Sequence, residues 1–361
     1  MKFQIQRDNL LNSLQQIIGA VEKRQTMPAL SNVLIKTSND SLSLTATDLE
    51  IEFVSQLNMI IDEPGEITVP ARKLLDICKS LPVDSQINIT IKDDKAMIQS
   101  GRSRFSLVTL PASDFPSLDE ISSNSEFQLP QATLKDIIEK TAFAMAQQDV
   151  RYYLNGLMLE VSSKVLRAVA TDGHRLAYCE KETDCELADI KQDILPRKGV
   201  LELARLLDNS DDKVKIILGN NHLRVELNNI RFTSKLIDGR FPDYNRVMPT
   251  DGDNVLTADR DQLRQALIRA YILSNEKYRG IRLTLENNLI KLQAQNPDQE
   301  EADVELEVVY SGDSIEIGFN VNYMLDVLNV TNSEIVQAAL RDSNSSFLLT
   351  YPDQDDCKYV I

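Results

Sequence analysis

The chain repeats one order of features three times, with a period of about 125 residues, and this repeat limits its fold more than any other feature. Each copy opens with a short extended stretch, followed by apolar residues three and four positions apart. That spacing builds one face of an amphipathic helix. The three openings are FQIQRDNLLNSLQQIIGAV from Phe3, FQLPQATLKDIIEKTAFAM from Phe127 and LTADRDQLRQALIRAYIL from Leu256. Three tandem domains of similar shape are therefore predicted.

Each copy continues with alternating strands, a second helix and a last pair of strands. The second helices are predicted in VPARKLLDICKSLP, LPRKGVLELARLLD and FNVNYMLDVLNV. Two helices packed on one side of an antiparallel sheet make an α+β domain. Polar, turn-rich linkers are predicted at residues 117–126 and 248–255. The predicted domains are residues 1–120, 127–247 and 254–361.

The composition excludes several classes of protein. The 361 residues carry a net charge of −16, which argues against a simple basic nucleic-acid binder. No apolar run is long enough for a transmembrane helix, and the N-terminus lacks the apolar core of a signal peptide, so no membrane partner is predicted. No phosphate-binding glycine loop, paired-histidine zinc motif or calcium loop occurs, so neither a cofactor nor a metal is predicted. The cysteines, Cys78, Cys179, Cys185 and Cys357, form no C-x-x-C pair, and we expect four free thiols and a cytoplasmic location.

One cluster, TDGHR at residues 171–175, has residue types that occur in catalytic sites. His174 beside Asp172 could act as a general base, which would make the protein a hydrolase. Alternatively Asp172 builds a turn, and the matching Thr47-Asp48 of copy one, which has no histidine, favours a turn or a binding role. A scaffold that organises partners without binding DNA is a further alternative.

Eight stretches of the sequence match a known family. They are MKF at 1–3, TDLE at 47–50, VPARK at 69–73, SGRSRFSL at 100–107, QDVRYYLNG at 148–156, TDGHRLA at 171–177, FPDY at 241–244 and LSNEK at 273–277. Through them the chain resembles the bacterial DNA polymerase III beta subunits, the beta sliding clamps. The resemblance implies three DNA-clamp domains and a processivity factor with neither enzymatic activity nor cofactor. It also implies a head-to-tail homodimer that forms a ring around double-stranded DNA of any sequence.

The resemblance further implies the residues of two binding sites. Those expected to contact DNA are Arg24, Arg72, Gln148, Tyr152 and Tyr153, to which the basic start of a predicted helix adds Arg197 and Lys198. Those expected to form a peptide-binding cleft are Leu154, Thr171, Gly173, His174, Arg175, Leu176, Pro242, Arg246, Val247, Ser346 and Val360. In the family this cleft receives short apolar peptides of replicative and translesion polymerases, the clamp loader, mismatch-repair proteins and ligase. A Met-Pro-x-Arg-Leu-like tail usually contributes to it, whereas this sequence ends in Lys358-Tyr359-Val360-Ile361.

A dimer contact is predicted from the strand GRSRFSLVTL, in which arginines alternate with apolar residues. Such a strand at the edge of a sheet can pair with another chain. Copy three offers two apolar helix residues followed by an acidic run, which would face the basic residues of the partner. The predicted interface is Lys73, Arg102, Arg104, Phe105, Leu107, Ile272, Leu273, Asp298, Glu300, Glu301 and Asp303. Head-to-tail contacts of this kind close into a ring when the rotation between chains is suitable.

Overall fold

The computed structural model describes most of the chain. The described residues are 1–22, 27–116, 118, 125–162, 164–185, 190–249 and 254–361. They fold into two compact units, Met1–Gln131 with Leu201–Leu236, and Ala132–Val200 with Ile237–Ile361. The boundary between the units runs through copy two, so each unit combines a whole copy with part of the middle one.

Within the described residues, every copy has the same order of elements: strand, helix, four strands, helix, three strands. Copy one contains β1 (Lys2–Gln6), α1 (Arg7–Ile17), β2 (Asn32–Thr37), β3 (Ser41–Thr47), β4 (Ile51–Asn58), β5 (Gly65–Pro70), α2 (Ala71–Ser80), β6 (Gln86–Lys92), β7 (Lys95–Ser100) and β8 (Ser103–Val108). Copy two contains β9 (Ser125–Pro130), α3 (Gln131–Glu139), β10 (Gly156–Val161), β11 (Val165–Thr171), β12 (Leu176–Glu182), β13 (Lys191–Pro196), α4 (Arg197–Leu206), β14 (Lys213–Leu218), β15 (His222–Leu227) and β16 (Ile230–Lys235). Copy three contains β17 (Asn254–Asp259), α5 (Arg260–Ile272), β18 (Gly280–Glu286), β19 (Leu289–Gln295), β20 (Glu301–Glu307), β21 (Ile315–Asn320), α6 (Val321–Asn329), β22 (Ile335–Leu340), β23 (Leu348–Tyr351) and β24 (Gln354–Val360). The α+β class with two helices per copy is confirmed.

The number of strands differs from the prediction. The sequence predicts a final pair of strands in each copy, whereas the structure has three. In copy one the additional turn lies at Gly101, whose φ of 55° fits the tight hairpin between β7 and β8. A single glycine between serine and arginine is a weak turn signal, which is why the sequence reads as one continuous strand there. Residues 117, 119–124 and 250–253 of the linkers predicted at 117–126 and 248–255 lie outside the described residues.

Both units are built on two antiparallel sheets. In the first unit the strand orders are β1-β6-β7-β8 and β5-β2-β3-β4-β16-β15-β14-β9. In the second unit they are β20-β19-β18-β21 and β13-β10-β11-β12-β24-β23-β22-β17. Each eight-stranded sheet joins two copies edge to edge, through β4 with β16 and through β12 with β24. Phe53 lies opposite Phe232 at the first junction, and Ala177 lies opposite Tyr359 at the second.

The apolar spacing of the sequence forms the buried face of the helices. In copy one, α1 buries Leu10, Leu14 and Ile17, and the neighbouring α2 buries Leu74 and Leu75. Removing one such side chain from water contributes about 1.5–3 kcal/mol to stability. The same spacing buries Leu263, Ala266, Leu267 and Ala270 of α5. No helix in the described part of the chain is long and apolar enough to cross a membrane.

The first residue of the first helix binds the end of the second helix in every copy. Arg7 Nε donates to the carbonyl of Cys78 (2.8 Å), and Arg260 Nη1 donates to the carbonyl of Thr331 (2.6 Å). In copy two, the Gln131 side-chain carbonyl accepts the backbone N–H of Asp208 (3.1 Å). The Cys78 carbonyl is one of the last four of α2, which a helix leaves without an intrahelical bond, whereas Thr331 and Asp208 lie two residues past the ends of α6 and α4. The repeat therefore extends to the contacts between elements.

The expectation of four free thiols is wrong for two of the cysteines. Cys179 of β12 and Cys357 of β24 lie opposite each other, with Cα atoms 4.1 Å apart, and form a disulfide. Cys78 and Cys185 are buried thiols. The bonded partners are 178 residues apart, and only the pairing of strands from two copies brings them together. No local motif could have predicted that bond.

Candidate functional site

The TDGHR cluster is a tight turn between β11 and β12. The Thr171 hydroxyl donates to the carbonyl of Arg175 (2.6 Å). Asp172 Oδ1 accepts the backbone N–H groups of His174 and Arg175 (2.9 and 3.1 Å). The corresponding turn of copy one, residues 47–51, has the same hydrogen bonds without a histidine. Asp172 is therefore engaged in building the turn.

A cavity of about 280 Å³ opens beside this turn, within the second unit. It is lined by Arg151, Tyr153, Leu154, Thr171, Gly173, His174, Arg175, Leu176, Phe241, Pro242, Asp243, Tyr244, Val247, Ser346 and Val360. The structure thus brings together ten of the eleven residues predicted for the peptide cleft. The eleventh, Arg246, is not among the lining residues. Its side chain is 84% exposed, and its Nε donates to Asp243 Oδ2 (3.0 Å).

Five lining residues were not predicted for the cleft. Phe241, Asp243 and Tyr244 belong to the FPDY stretch, which the sequence analysis singled out for the resemblance alone. Tyr153 was predicted for DNA contact, and Arg151 was assigned no role. The FPDY stretch was the signal that could have found three of them, because Pro242 within it was already placed in the cleft.

The floor of the cavity is apolar. Leu176 and Val360 lie opposite each other on β12 and β24, and both are buried. Met158, Val169 and Tyr244 complete this buried cluster. A concave, largely preformed apolar surface with a few polar groups at its rim is typical of sites for small or peptide ligands.

Arg175 forms a fixed part of the cleft wall. Its Nε donates to Asp172 Oδ2 (3.1 Å), and its Nη1 donates to Asp326 Oδ2 (2.5 Å). Its Nη2 donates to the carbonyl of Phe143 (2.8 Å). A guanidinium held by two carboxylates and a carbonyl has a defined direction. Arg175 therefore shapes the cleft and is not a mobile surface charge.

Tyr323 of α6 links the two polar wall residues. The guanidinium carbon of Arg175 lies 4.8 Å from the centre of the Tyr323 ring, within the range of a cation–π contact. The His174 ring is nearly parallel to the Tyr323 ring, with an angle of 16° and centroids 6.5 Å apart. Sequence reasoning missed Tyr323 because it lies in copy three, far along the chain from the turn.

The loop before β10 is held by its own side chains. Arg151 binds both oxygens of Asp149, with Nε to Oδ1 at 3.0 Å and Nη2 to Oδ2 at 2.8 Å. This pairing lowers the pKa of Asp149 to about 2. The Asn155 side chain makes two hydrogen bonds with the backbone of Asp149 (2.8 and 2.9 Å). The backbone carbonyl of Asn155 accepts the backbone N–H of Arg197 (3.0 Å). The loop is thereby joined to the start of α4.

Five residues predicted to contact DNA lie in this loop or at that helix start. Gln148 is exposed at the beginning of the loop. Tyr152 is 58% exposed and packs edge-on against Tyr153, with ring centroids 5.8 Å apart. Arg197 and Lys198 are the first two residues of α4. An exposed aromatic ring beside basic residues is suited to stacking on bases of single-stranded nucleic acid.

Arg72, the second residue of α2, makes in copy one a contact similar to that of Arg197, the first residue of α4. Arg72 Nη2 donates to the carbonyl of Val21 (3.0 Å), and Arg197 Nη1 donates to the carbonyl of Met145 (3.1 Å). In both copies an arginine in the first turn of the second helix binds main chain that follows the first helix. Arg24, the remaining residue predicted for DNA contact, lies outside the described residues.

The residues predicted for the dimer interface lie on or beside two edge strands. In the described part of the chain, β8 and β20 each form one edge of a four-stranded sheet, with β1 and β21 at the opposite edges. Arg102 and Arg104 are exposed, while Phe105 is half-buried and Leu107 is buried. Ile272, the last residue of α5, is 68% exposed. Leu273 is half-buried, and the remaining predicted residues, Lys73, Asp298, Glu300, Glu301 and Asp303, are all exposed.

A more polar cavity of about 350 Å³ lies on β18, β19 and β20. Two of the acidic residues predicted for the interface line it. Asp303 accepts a hydrogen bond from Gln293 Nε2 (2.7 Å), and Glu301 accepts one from Gln295 Nε2 (2.9 Å). This surface has no apolar floor comparable with that of the cleft, because its lining is mostly exposed charged and amide side chains.

One group of potential metal ligands occurs in the described residues, formed by Cys179, Cys357 and Asp356. The two sulfurs are bonded to each other, and Asp356 forms an ion pair with Lys181. Metal ions bind the thiolate form of cysteine, so a disulfide beside a neutralised carboxylate does not provide a metal site.

Three copies of one α+β unit, joined edge to edge through their sheets, define the class of DNA-clamp proteins. Three family models match successive parts of the chain: DNA polymerase III beta subunit N-terminal domain at residues 1–119, central domain at 128–243 and C-terminal domain at 245–361. The chain therefore belongs to the DNA polymerase III beta subunit family, the family of the beta sliding clamps. It is a non-catalytic processivity subunit, and the hydrolase hypothesis for Asp172 and His174 is wrong.

Similar proteins support this membership along the whole chain. The beta sliding clamp of Pseudomonas aeruginosa is 55% identical over 363 residues, covering 100% of this chain and 99% of that protein. That of Escherichia coli K12 is 50% identical over 362 residues, with the same coverage. A crystal structure of the P. aeruginosa clamp with ligand has a TM-score of 0.96 and 55% identity, covering 100% of this chain and 98% of the other. The Bartonella birtlesii clamp bound to griselimycin has a TM-score of 0.97 and 37% identity, with the same coverage.

Proposed function

We propose that two copies of this chain assemble head to tail into a ring that encircles double-stranded DNA, and that the cleft tethers partner proteins to it. The observation that carries this proposal is the pair of edge strands, β8 and β20, each of which pairs with a strand on one side only among the described residues. The proposed domains are residues 1–120, 127–247 and 254–361. The proposed location is the cytoplasm, where bacterial DNA is replicated.

The repeat supports pairing of these two edges with each other. Within the chain, the fourth strand of one copy pairs with the last strand of the next, as β4 does with β16. The second unit has the same arrangement, because β12, the fourth strand of copy two, pairs with β24, the last strand of copy three. In the same scheme β20 is the fourth strand of copy three and β8 is the last strand of copy one. A contact between β20 of one chain and β8 of another would repeat the junction that each chain already makes twice.

The register of those junctions gives the facing residues. Arg231 lies opposite Val54 and Phe232 opposite Phe53. The corresponding positions place Arg104 opposite Asp303 of the partner subunit. Lys73, Arg102 and Arg104 would then meet the acidic residues of β20 and of the turn before it. Opposite charges facing across strands contribute about 0.2–1 kcal/mol per pair, and they also select the partner edge.

A helix contact accompanies the strand pairing at the first junction. Arg205 of α4 donates to the carbonyls of Gln15 and Gln16 at the end of α1 (2.9 and 2.8 Å). The end of α5 is the corresponding position in copy three, and Ile272 and Leu273 lie there. We propose that they pack on α2 of the partner subunit, which would cover the 68% of Ile272 that is exposed.

The DNA contacts we propose are Arg24, Arg72, Gln148, Tyr152, Tyr153, Arg197 and Lys198. Basic residues suffice for this role, because phosphate contacts carry no sequence information directly. Weak, salt-dependent contacts permit sliding, with non-specific dissociation constants on the order of 10⁻⁴–10⁻⁶ M. The net charge of −16 would repel DNA from the rest of the surface and favour a few basic positions.

The cleft partners we propose are replicative and translesion polymerases, the clamp loader, mismatch-repair proteins and ligase, each through a short apolar peptide. The apolar floor of Leu176 and Val360 and the fixed Arg175 support such a ligand. Griselimycin, bound by the related clamps of P. aeruginosa and B. birtlesii, is a suitable probe for this cleft.

Sedimentation of the interface variant tests the assembly. Ile272→Ala combined with Leu273→Ala removes apolar contact from the proposed interface, so we expect monomers where the wild type gives dimers. Leu201→Ala, at an apolar residue that is 48% exposed within the first unit, is the matched control and should leave the dimer intact. A dimer that persists unchanged in the double variant would contradict this interface.

A further inference from the structure

A partly buried ion network lies beside the cleft, on the same face of the eight-stranded sheet. Arg167 Nη1 donates to Glu160 Oε1 (2.5 Å), and its Nε donates to Glu180 Oε2 (2.8 Å) and to the hydroxyl of Tyr178 (3.1 Å). The Tyr178 hydroxyl in turn donates to Glu180 Oε2 (2.6 Å). Gln192 Nε2 donates to the second oxygen of Glu160 (2.5 Å). Glu160 is only 6% exposed, so this guanidinium is its main electrostatic partner.

The strand register connects this network to the cleft. Glu160, Arg167 and Glu180 form one row across β10, β11 and β12. The next row is Met158, Val169 and Tyr178, and the row after it contains Thr171 and Leu176 of the cleft. Side chains two positions apart on a strand lie on the same face. The network, the apolar floor and the cleft therefore occupy consecutive rows of one surface.

Tyr244 joins the second row to the opposite wall of the cleft. Its ring contacts that of Tyr178, with centroids 5.7 Å apart, and it belongs to the buried cluster with Met158 and Val169. Tyr244 is also the first residue of the short helical turn Tyr244–Arg246. Burial and the Glu160 carboxylate raise the pKa of the Tyr244 hydroxyl, while Arg167 lowers it. The charges of Glu160 and Arg167 therefore act on the Tyr244 hydroxyl.

We infer that Arg167 is a positioning residue of the peptide cleft: by fixing Tyr178 it seats Tyr244, and so sets the wall that carries Pro242 and Val247. The inference rests on the proposed function of the cleft as a peptide site. An arginine suits this task because its planar fork can hold two carboxylates and a hydroxyl at once, whereas a lysine ammonium is a point charge. Arg167 does not line the cavity itself.

The test measures the affinity of fluorescently labelled griselimycin for the 361-residue chain, together with urea unfolding of each variant. Arg167→Met should weaken probe binding about tenfold, equivalent to about 1.4 kcal/mol. Tyr178→Phe, which removes only the hydroxyl, should weaken it about threefold. In the double variant Arg167→Met, Tyr178→Phe, the loss of binding free energy should be smaller than the sum of the two single losses, because both residues act through one contact. Arg205→Met is the matched control, since Arg205 is held by Glu202 and two carbonyls in the first unit, and it should not change probe affinity.

A further variant distinguishes a role of Arg167 in the cleft from a role in fold stability alone. It removes the charges of the two carboxylates that Arg167 binds. In the variant Glu160→Gln, Arg167→Met, Glu180→Gln no carboxylate is left unpaired, so the urea midpoint should recover while probe affinity stays reduced. Recovery of both would overturn the inference. Tyr178→Phe and Arg167→Met binding within twofold of wild type would also overturn it. If Leu176→Glu binds the probe as well as wild type, the proposed cleft function fails instead.

Discussion

Leu176 lies opposite Val360 where copies two and three join, and this pair is the apolar floor of the cleft. The corresponding pair at the junction of copies one and two is Glu52 opposite Thr233. The two junctions share their strand pairing and their Thr-Asp turn, yet the floor of the first is a carboxylate and a hydroxyl. The difference in these two pairs explains why an apolar cleft is expected at the second junction and not at the first.

Glu52 gives the first junction a dependence on pH. Burial raises the pKa of its carboxyl above the ordinary value of 4.5. A hydrogen bond from the backbone N–H of Leu118 and the positive charges of Arg231 and Arg224 lower this pKa, but by less. A carboxyl whose pKa is higher in the folded state binds protons more tightly there, so its ionisation destabilises the fold as the pH rises above about 4.5. We expect Glu52→Gln to raise the urea midpoint at pH 7 and to lose that advantage below pH 4.5. Equal midpoints for the two proteins at pH 7 would contradict this account.

The disulfide predicts a specific thiol count. In denaturant without reductant we expect two reactive thiols per chain, from Cys78 and Cys185, and four after reduction. Denaturant is needed because burial raises the pKa of the Cys78 thiol to about 12. A disulfide typically contributes about 2–4 kcal/mol to stability. Cys179→Ser should therefore lower the urea midpoint under oxidising conditions, and a count of four thiols before reduction would argue against the bond.

The arginines at the starts of α2 and α4 should act on DNA through phosphate alone. We expect Arg72→Gln and Arg197→Gln each to weaken binding to duplexes of unrelated sequence by the same factor. Each should also reduce the slope of log affinity against log salt by about 1, because one fewer counterion is released. Arg282→Gln, on the four-stranded sheet of the second unit, is the matched control. A sequence-dependent loss would contradict contact with the phosphate backbone only.

Local patterns in the sequence predicted the features that depend on local structure. The spacing of Leu10, Leu14 and Ile17 is the buried face of α1, and the Thr-Asp pairs form turns, because both depend on nearby residues. The family resemblance supplied most of the cleft wall. Contacts between copies were not visible, since Cys179 with Cys357, and Arg175 with Tyr323, meet only after strands far apart in sequence have paired. The same pairing explains why the two compact units do not follow the copy boundaries.

Retention on DNA of different topology tests the account most directly. The labelled clamp, placed on a nicked circular duplex by a clamp loader, should remain bound through gel filtration at moderate salt, and linearisation with a restriction enzyme should release it within minutes. A protein held by phosphate contacts alone would dissociate from circular and linear DNA at equal rates. Equal retention on both forms would contradict encirclement, and with it the assembly of the two edge strands into a closed ring.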